Sequence, residues 1–567
     1  MSSFHCRQLP DEPIFQRLID NTKTHGQVIF HDPTCGVDAT YPQLLHDIVS
    51  LRQRLHNWLP SSILDKTGLL SDQTSPYILI LAPGNYDFVA ASFTVLAIGG
   101  ALVPLAPAIL PEEALYFAQK CKSLLLLASS SCWELAAEIQ AHACTEGYNI
   151  DVQLITPKSS YAVIPLSEVS DIIIGPDMKI APSRPSIVLF TSGTTGPPKG
   201  VVNSRLFFYY GYGTSSDDVF LTHRPVHWIG GLRSIINLVL SGTRQEVIEP
   251  NEKVIWERLR IGGVTMLCCV IPMWCKLMKY YEEVLSKLPD AQRNDYIEGI
   301  RGLRIARVGG AVPMPSLLTF WRETIGIPLE VTYGCTETGG PGMITDNNTN
   351  RTLERCLGKA EPGVTIKYSD GDEGEILVKT QFLFTHYLDD EMATAAAFTP
   401  DGFYKTGDIA RRVGDEYIIE GRASTDFVRF HGFKVPTMEV EEKLAELPFI
   451  EEACIVSVPD KDAATRVAAL VRLRAGHADV DLRVIREMLA LQLLYYKLPT
   501  ALRILKDGEE IPLAASGKVL RKRVSDEFFP VTNHYELPPE VEIWDITDKQ
   551  LNDGNRKAWD WAGLQGC

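Results

Sequence analysis

The chain has 567 residues, 45% of them hydrophobic and 22% charged, enough apolar material for more than one core. Its formal net charge is −16, which argues against nucleic-acid binding but leaves room for a local cradle of backbone N–H groups around a phosphate. Twelve cysteines are scattered without a CxxC pair or zinc spacing to histidine, so they read as free, mostly buried thiols in a reducing compartment.

The N-terminal segment, MSSFHCRQLPDEP, has no apolar stretch of the kind a secretory signal needs. Residues 78–84 (ILILAPG) and 124–128 (LLLLA) read as short buried strands with helical and turn sequence between them. The uncharged run from Phe88 to Leu110 has the length of a bilayer span. Gly99, Gly100, Pro104 and Pro107 divide it into a buried helix, a turn and an apolar strand, so no membrane span is expected. Strand and helix patterns keep alternating through LRIARVGG (303–310) and PLEVTYG (328–334), which indicates an α/β fold class. From 364 to 420 short strands and turns predict a β-rich subdomain.

After Gly421 the pattern restarts. A helix is expected over 437–447, with Val440, Leu444 and Leu447 on one face and Pro448 as its stop. Strands follow at 453–458 and 468–473, giving a small α+β unit. The tail carries Trp544, Trp559 and Trp561, expected to pack back onto the body. The C-terminal LQGC matches neither a peroxisomal nor a prenylation signal, and the expected location is cytoplasmic.

The most informative segment is IVLFTSGTTGPPKGVVNS, residues 187–204. An apolar strand runs into Thr191, Ser192, Gly193, Thr194, Thr195, Gly196, Pro197, Pro198 and Lys199. Glycines let backbone N–H groups converge on one point, hydroxyls add rotatable donors, and Lys199 adds a positive charge. A P-loop needs Gly before its Lys and Ser or Thr after it; here Pro198 precedes and Gly200 follows, so that motif fails. A polar surface turn would not carry so many phosphate donors together.

This segment resembles the signature loop of the adenylate-forming superfamily of acyl-CoA synthetases, peptide-synthetase adenylation domains and beetle luciferases. It is closest in type to acyl- or aryl-CoA ligases. Further motifs come in the family's order. LRIARVGGA, ending at Gly310 and Ala311, resembles the strand and Gly-Gly turn beside adenine. Tyr333, Gly334, Cys335, Thr336, Glu337 and Thr338 resemble its YGxTE segment, with Thr332 before it also on the nucleotide, the Tyr333 ring toward adenine, Thr336 toward the α-phosphate and Glu337 as the Mg²⁺ ligand. Cys335 falls on the variable position and reads as packing. Tyr404 to Asp408 (YKTGD) resembles the YxTGD motif, whose Asp408 would accept the ribose hydroxyls. Gly421 and Arg422 open a segment like the hinge, with Arg422 on the nucleotide. That segment is one residue longer than usual, and Ser424, Thr425 and Asp426 remain alternatives for the hinge residue. Arg429, His431, Gly432 and Lys434 match positions that meet adenylate or pantetheine. IPLAASGKVLRK (511–522) resembles the loop of the family's catalytic lysine, here Lys518.

The resemblance implies a large N-terminal domain of αβ-layered and β-rich subdomains over 1–421. It implies in turn a hinge at 422–426, a small mobile α+β C-terminal lid over 427–530 and a tail at 531–567. ATP, Mg²⁺ and coenzyme A are the implied cofactors, and a small-molecule carboxylic acid the implied partner. A carrier protein is the alternative acceptor, and a non-catalytic binding protein on the same fold the rival class. Intact Lys518, Glu337 and Asp408 speak against that rival.

Arg224 to Gly231 (RPVHWIGG) occupies the place of the acyl-pocket motif, with His227, Trp228 and Ile229 on the pocket together with Val308 and Gly309. His227 resembles the aromatic gate and is the third catalytic candidate beside Lys518 and Thr336. No Asp lies between Pro225 and Arg233, which argues against an α-amino acid. Arg233 would suit a second carboxylate, though an exposed or paired arginine is the plainer reading. Val331 and Thr332 depart from the family's usual polar residue and Gly at these positions.

If Lys518 delivers positive charge during adenylation, Lys518→Ala should slow pyrophosphate release by about 10²–10³-fold. Thioester formation from supplied acyl-adenylate should persist. Equal loss of both half-reactions, measured separately, would count against a lysine used in one of them.

Overall fold

The computed structural model describes residues 7–24, 26–71, 76–156, 164–191, 198–209, 213–310, 313, 315–346, 355–422, 427–477, 479–512, 519, 521–532 and 534–545, with the backbone alone at 315, 420–422, 427, 434, 436, 438 and 442.

Short runs of consecutive apolar residues make strands buried on both faces, as parallel sheets require. β1 (Tyr77–Leu81) leads through α1 (Tyr86–Ala97) to β2 (Ala101–Leu105). The Asn85 side chain caps α1 by accepting from Phe88 N at 3.2 Å. Gly99, with φ of +78°, turns the chain into β2. The apolar run at 88–110 thus folds into helix, turn and strand, and among the described residues no helix is long and apolar enough to cross a membrane. β3 (Leu125–Ala128) lies parallel to β1, and β4 (Pro185–Thr191) parallel to β2. β5 (Lys199–Ser204) returns antiparallel to β4 and pairs at its outer edge with residues 386–387.

A second sheet begins with β6 (Val219–Thr222), which feeds α2 (Ile229–Leu240). β6, β7 (Met266–Val270), β8 (Ile305–Gly309) and β9 (Glu330–Cys335) run parallel. β10 (Gly340–Ile344) turns back antiparallel to β9. The sheet continues through Cys356–Ala360 into an antiparallel meander that covers the region read as β-rich. Within it lie β11 (His386–Tyr387), which crosses to the first sheet, α3 (Glu391–Ala397), β12 (Tyr404–Val413) and β13 (Glu416–Arg422). α/β layering and a β-rich extension are both present, as the residue pattern indicates.

The C-terminal unit has its own sheet and core. β14 (Phe427–Phe430) and β15 (Phe433–Pro436) form a hairpin turned by His431 and Gly432, at φ of +48° and +85°. α4 (Thr437–Ala445) buries Val440 and Leu444, with Leu447 just beyond it. β16 (Ile450–Asp460) and β17 (Ala464–Leu473) pair antiparallel over more residues than the apolar runs alone mark, because the ladder extends past the buried face. Trp544 packs onto this core: its N–H donates to the Thr500 carbonyl at 3.0 Å, and Arg486 stacks on its ring at 4.3 Å. Trp559 and Trp561 lie outside the described residues.

The N-terminal segment is anchored by a fully buried ion pair. Arg205, just past β5, meets Glu12 at 3.2 Å and donates to the carbonyls of Leu96 and Gly100 at 3.1 and 3.2 Å. Burial pushes the Glu12 carboxyl up while Arg205 pulls it down. Removing one partner leaves a charge without compensation, so Arg205→Met should cost about 3–5 kcal/mol of stability. Urea unfolding should show it, and a loss below about 1 kcal/mol would mean that water reaches the pair.

Candidate functional site

The two sheets and the C-terminal hairpin enclose a cavity of about 720 Å³. Thr191 and Lys199 reach it from β4 and β5. They are a cross-strand pair, and the Thr191 hydroxyl donates to the Lys199 carbonyl at 3.5 Å. The turn that they close is the predicted phosphate loop. Ser192, Gly193, Thr194, Thr195 and Gly196 lie outside the described residues, as do Ala311, Lys518 and the alternatives Ser424, Thr425 and Asp426. For Arg422 and Lys434 the backbone alone is described.

Gly309, Gly310, Gly334, Thr336 and Glu337 form the next wall, at the ends of β8 and β9. Gly309 is required by close approach, since a Cβ there would sit 2.3 Å from Thr332 Oγ1. The Thr338 hydroxyl holds the turn after β9 by accepting from Cys335 N at 3.0 Å and donating to the Gly340 carbonyl at 2.7 Å. This leaves Thr336 and Glu337 facing the cavity. Burial and the nearby Glu337 carboxylate push the Cys335 thiol up, so it stays a thiol, in keeping with a packing role.

Residues absent from the predicted set tie these walls together. The Tyr387 hydroxyl donates to Glu337 Oε1 at 3.0 Å, and Lys199 Nζ lies over the Tyr387 ring, 5.3 Å from its centre. Lys199 also meets Asp390 at 3.5 Å, and Asp390 caps α3 by accepting from Ala393 N at 2.9 Å. That hydrogen bond, with Lys199 adding to it, holds the Asp390 carboxyl below its ordinary range. The one local signal for this knot was Asp390 before Glu391, an N-cap pattern; nothing in the sequence pointed to Tyr387 meeting Glu337.

Asp408 faces the cavity from β12 opposite Arg422 of β13, and accepts from the Tyr333 hydroxyl at 2.8 Å. Burial first, then the Asp408 carboxylate, pushes the Tyr333 phenol well up, so it remains a donor. Tyr333 therefore orients Asp408 and is not itself on the cavity wall. Two further residues also stand back from it. Val308 is fully buried in the core behind β8, so the acyl-pocket assignment is corrected to Gly309 beside it. Thr332 turns its hydroxyl back to the Val308 carbonyl at 3.2 Å.

His227, Trp228, Ile229, Val270, Ile271 and Pro272 also line the cavity. His227 is 6% exposed, and neither ring nitrogen has a partner. Burial lowers its pKa to about 3, so the imidazole is neutral at physiological pH. Arg233 does not reach this wall. It is buried on α2 and packed against β10, where a Cβ on Gly340 would lie 1.1 Å from its Nη1.

The C-terminal unit closes the remaining side. Arg429 Nη1 donates to the Gly310 carbonyl at 3.2 Å, and Gly432, Phe433, Ala464 and Tyr496 line the cavity around it. His431 sits in the hairpin turn with its ring against Phe430 at 4.6 Å and is not on the wall.

Two family models match the chain: AMP-binding enzyme over residues 61–388, and AMP-binding enzyme C-terminal domain over 439–518. The acyl-CoA ligase oryP of Aspergillus oryzae is 35% identical over 95% of this chain and 97% of its own length. A mitochondrial malonate–CoA ligase of Xenopus laevis is 27% identical over 88% and 91%. Among solved structures, a malonyl-CoA ligase with methylmalonyl-CoA and AMP bound is similar with a TM-score of 0.64 and 23% identity, covering 85% of this chain and 97% of that one. The amide bond synthetase McbA from Marinactinospora thermotolerans matches with a TM-score of 0.68 and 22% identity, covering 90% and 98%.

In the unfolded chain an imidazole takes up its proton near pH 6.5, whereas folded His227 holds none until about pH 3. The unfolded state therefore binds more protons across that window, and stability falls as pH drops through it. Between pH 6.5 and 5, His227→Phe should lose about 2 kcal/mol less than the wild type in urea unfolding. Parallel curves would mean that the buried imidazole is charged.

Proposed function

This chain belongs to the AMP-binding enzyme family and is an AMP-forming acid–thiol ligase, and from that premise we propose how its residues divide the work. The acid's carboxylate attacks the α-phosphorus of ATP; the P–O bond to pyrophosphate breaks and acyl-AMP forms. The thiol of coenzyme A then attacks the acyl carbonyl, AMP leaves, and the thiol proton goes to solvent. The observation that carries this reading is convergence: Thr191, Lys199, Thr336, Glu337 and Asp408, far apart in sequence, line one cavity together with Trp228, Ile229, Val270 and Ile271.

Two anions meet in the first half-reaction, so positioned donors and cations dominate it. Lys199 and the Thr336 hydroxyl face the phosphates. Asp408, oriented by Tyr333, accepts from the ribose hydroxyls. Neutral His227 stands beside the acyl carboxylate without trapping it in an ion pair. Glu337, whose carboxylate accepts from the Tyr387 hydroxyl, would supply a hard oxygen ligand to Mg²⁺, and the ion would neutralise phosphate charge there.

For the second half-reaction we assign residues 1–421 to the body, 422–426 to a hinge and 427–530 to a lid that exchanges Lys518 for the β14–β15 hairpin at the cavity. The Arg429 contact to Gly310 supports that assignment, because it puts the hairpin on the adenylation wall.

A panel of carboxylic acids with ATP and Mg²⁺ should release pyrophosphate, and adding coenzyme A should give a thioester of the matching mass. Pyrophosphate without thioester, together with acylation of a carrier protein, would move the acceptor to that protein. No pyrophosphate with any acid would end the reading.

A further inference from the structure

The acyl end of the cavity holds a cation that adenylation and thioester formation leave unexplained. After β6 the chain passes through His223, Arg224 and Pro225 into α2, and Arg224 lines the cavity beside Trp228 and Ile229. Its guanidinium lies on the first turn of α2. A Cβ on Gly230 would fall 2.0 Å from Nη2 and 2.4 Å from Cζ, so the absence of a side chain at 230 is what admits it.

Other arginines of this region have carboxylate partners. Arg258 meets Glu246 at 2.6 Å, Arg304 meets Asp218 at 2.6 Å, and Arg307 meets Glu330 at 2.6 Å. Among the described residues no carboxylate pairs with Arg224. Two further features open onto the same wall. α2 starts at Trp228 without a side-chain cap, so its first N–H groups are orphan donors. His227 is buried, lines the cavity and has no partner for either ring nitrogen. The guanidinium and the uncapped helix start leave a gap suited to an anion, next to the unpartnered imidazole of His227.

The reacting carboxylate does not fill that gap well. It loses its charge on becoming a mixed anhydride and stays neutral as a thioester. A cation holding it would stabilise the starting carboxylate more than the transition state and would slow the step. An anion that keeps its charge through both half-reactions has no such conflict.

We propose that Arg224, with the first turn of α2, binds a second carboxylate on the acid, so that the substrate class is dicarboxylic acids. This rests on the ligase reading above. It also moves the diacid contact away from Arg233, which the fold buries against β10.

The test compares each ω-dicarboxylic acid with the monocarboxylic acid of the same carbon count and with its own mono-methyl ester. Pyrophosphate release and thioester mass are read for the wild type, Arg224→Met and Arg224→Lys. We expect the wild type to favour diacids, and Arg224→Met to lower the diacid-to-monoacid ratio of kcat/KM by about 10- to 150-fold, mainly through KM, as for a lost charged hydrogen bond. Arg224→Lys should restore part of that ratio, which a folding defect would not do. Wild-type preference for monoacids, or equal loss on both acids in Arg224→Met, overturns the diacid proposal and leaves the ligase reading standing. No pyrophosphate from the wild type with any acid overturns the ligase reading itself, and the diacid proposal with it.

Discussion

Two anions have to meet inside a protein whose own net charge is −16. Everything at the site answers that constraint. Coulomb repulsion between a carboxylate and a triphosphate grows as water is excluded, so cations and donors must be in place beforehand. Lys199 is held by Asp390 and by the face of Tyr387, and Tyr387 also holds Glu337. One phenol thus links a charge on the phosphate strand to the candidate metal ligand. It can do so because β11 leaves the β-rich meander and pairs with β5, joining the first sheet to the second.

The same economy of contacts governs the nucleotide's other end. Tyr333 lies between β9 and β12 with its hydroxyl on Asp408, and Thr332 turns its own hydroxyl to the backbone of β8. Those two bonds leave Gly309 and Gly310 bare on the wall, where a flat ring can approach. Arg429 then reaches Gly310 from the C-terminal unit, so the hairpin rests on the strand end that a nucleotide would use.

At the acyl end the chemistry changes character. His227 is kept neutral by burial, and it lines the cavity together with Ile229, Val270 and Ile271. Arg224 stands apart as a full charge beside an uncapped helix start.

By itself the sequence determined the layered α/β class, the apolar strand that leads to Thr191 and the TE and TGD segments. It also marked the restart after Gly421, where a separate sheet begins. These features are local: each depends on residue types within a few positions, through backbone freedom, hydroxyl donors or hydrophobic period. Tertiary structure decided the rest, because the deciding contacts join residues far apart in the chain. Tyr387 gains meaning from Glu337, 50 positions away, and Tyr333 from Asp408, 75 away. Val308 and Gly309 are neighbours, yet the pleat sends Val308 into the core while Gly309 lines the cavity. Arg224 and Arg233 could not be told apart as carboxylate partners by type. The fold buries Arg233 against β10 and lays Arg224 on Gly230, because only where two elements pack does a side chain's surroundings become specified.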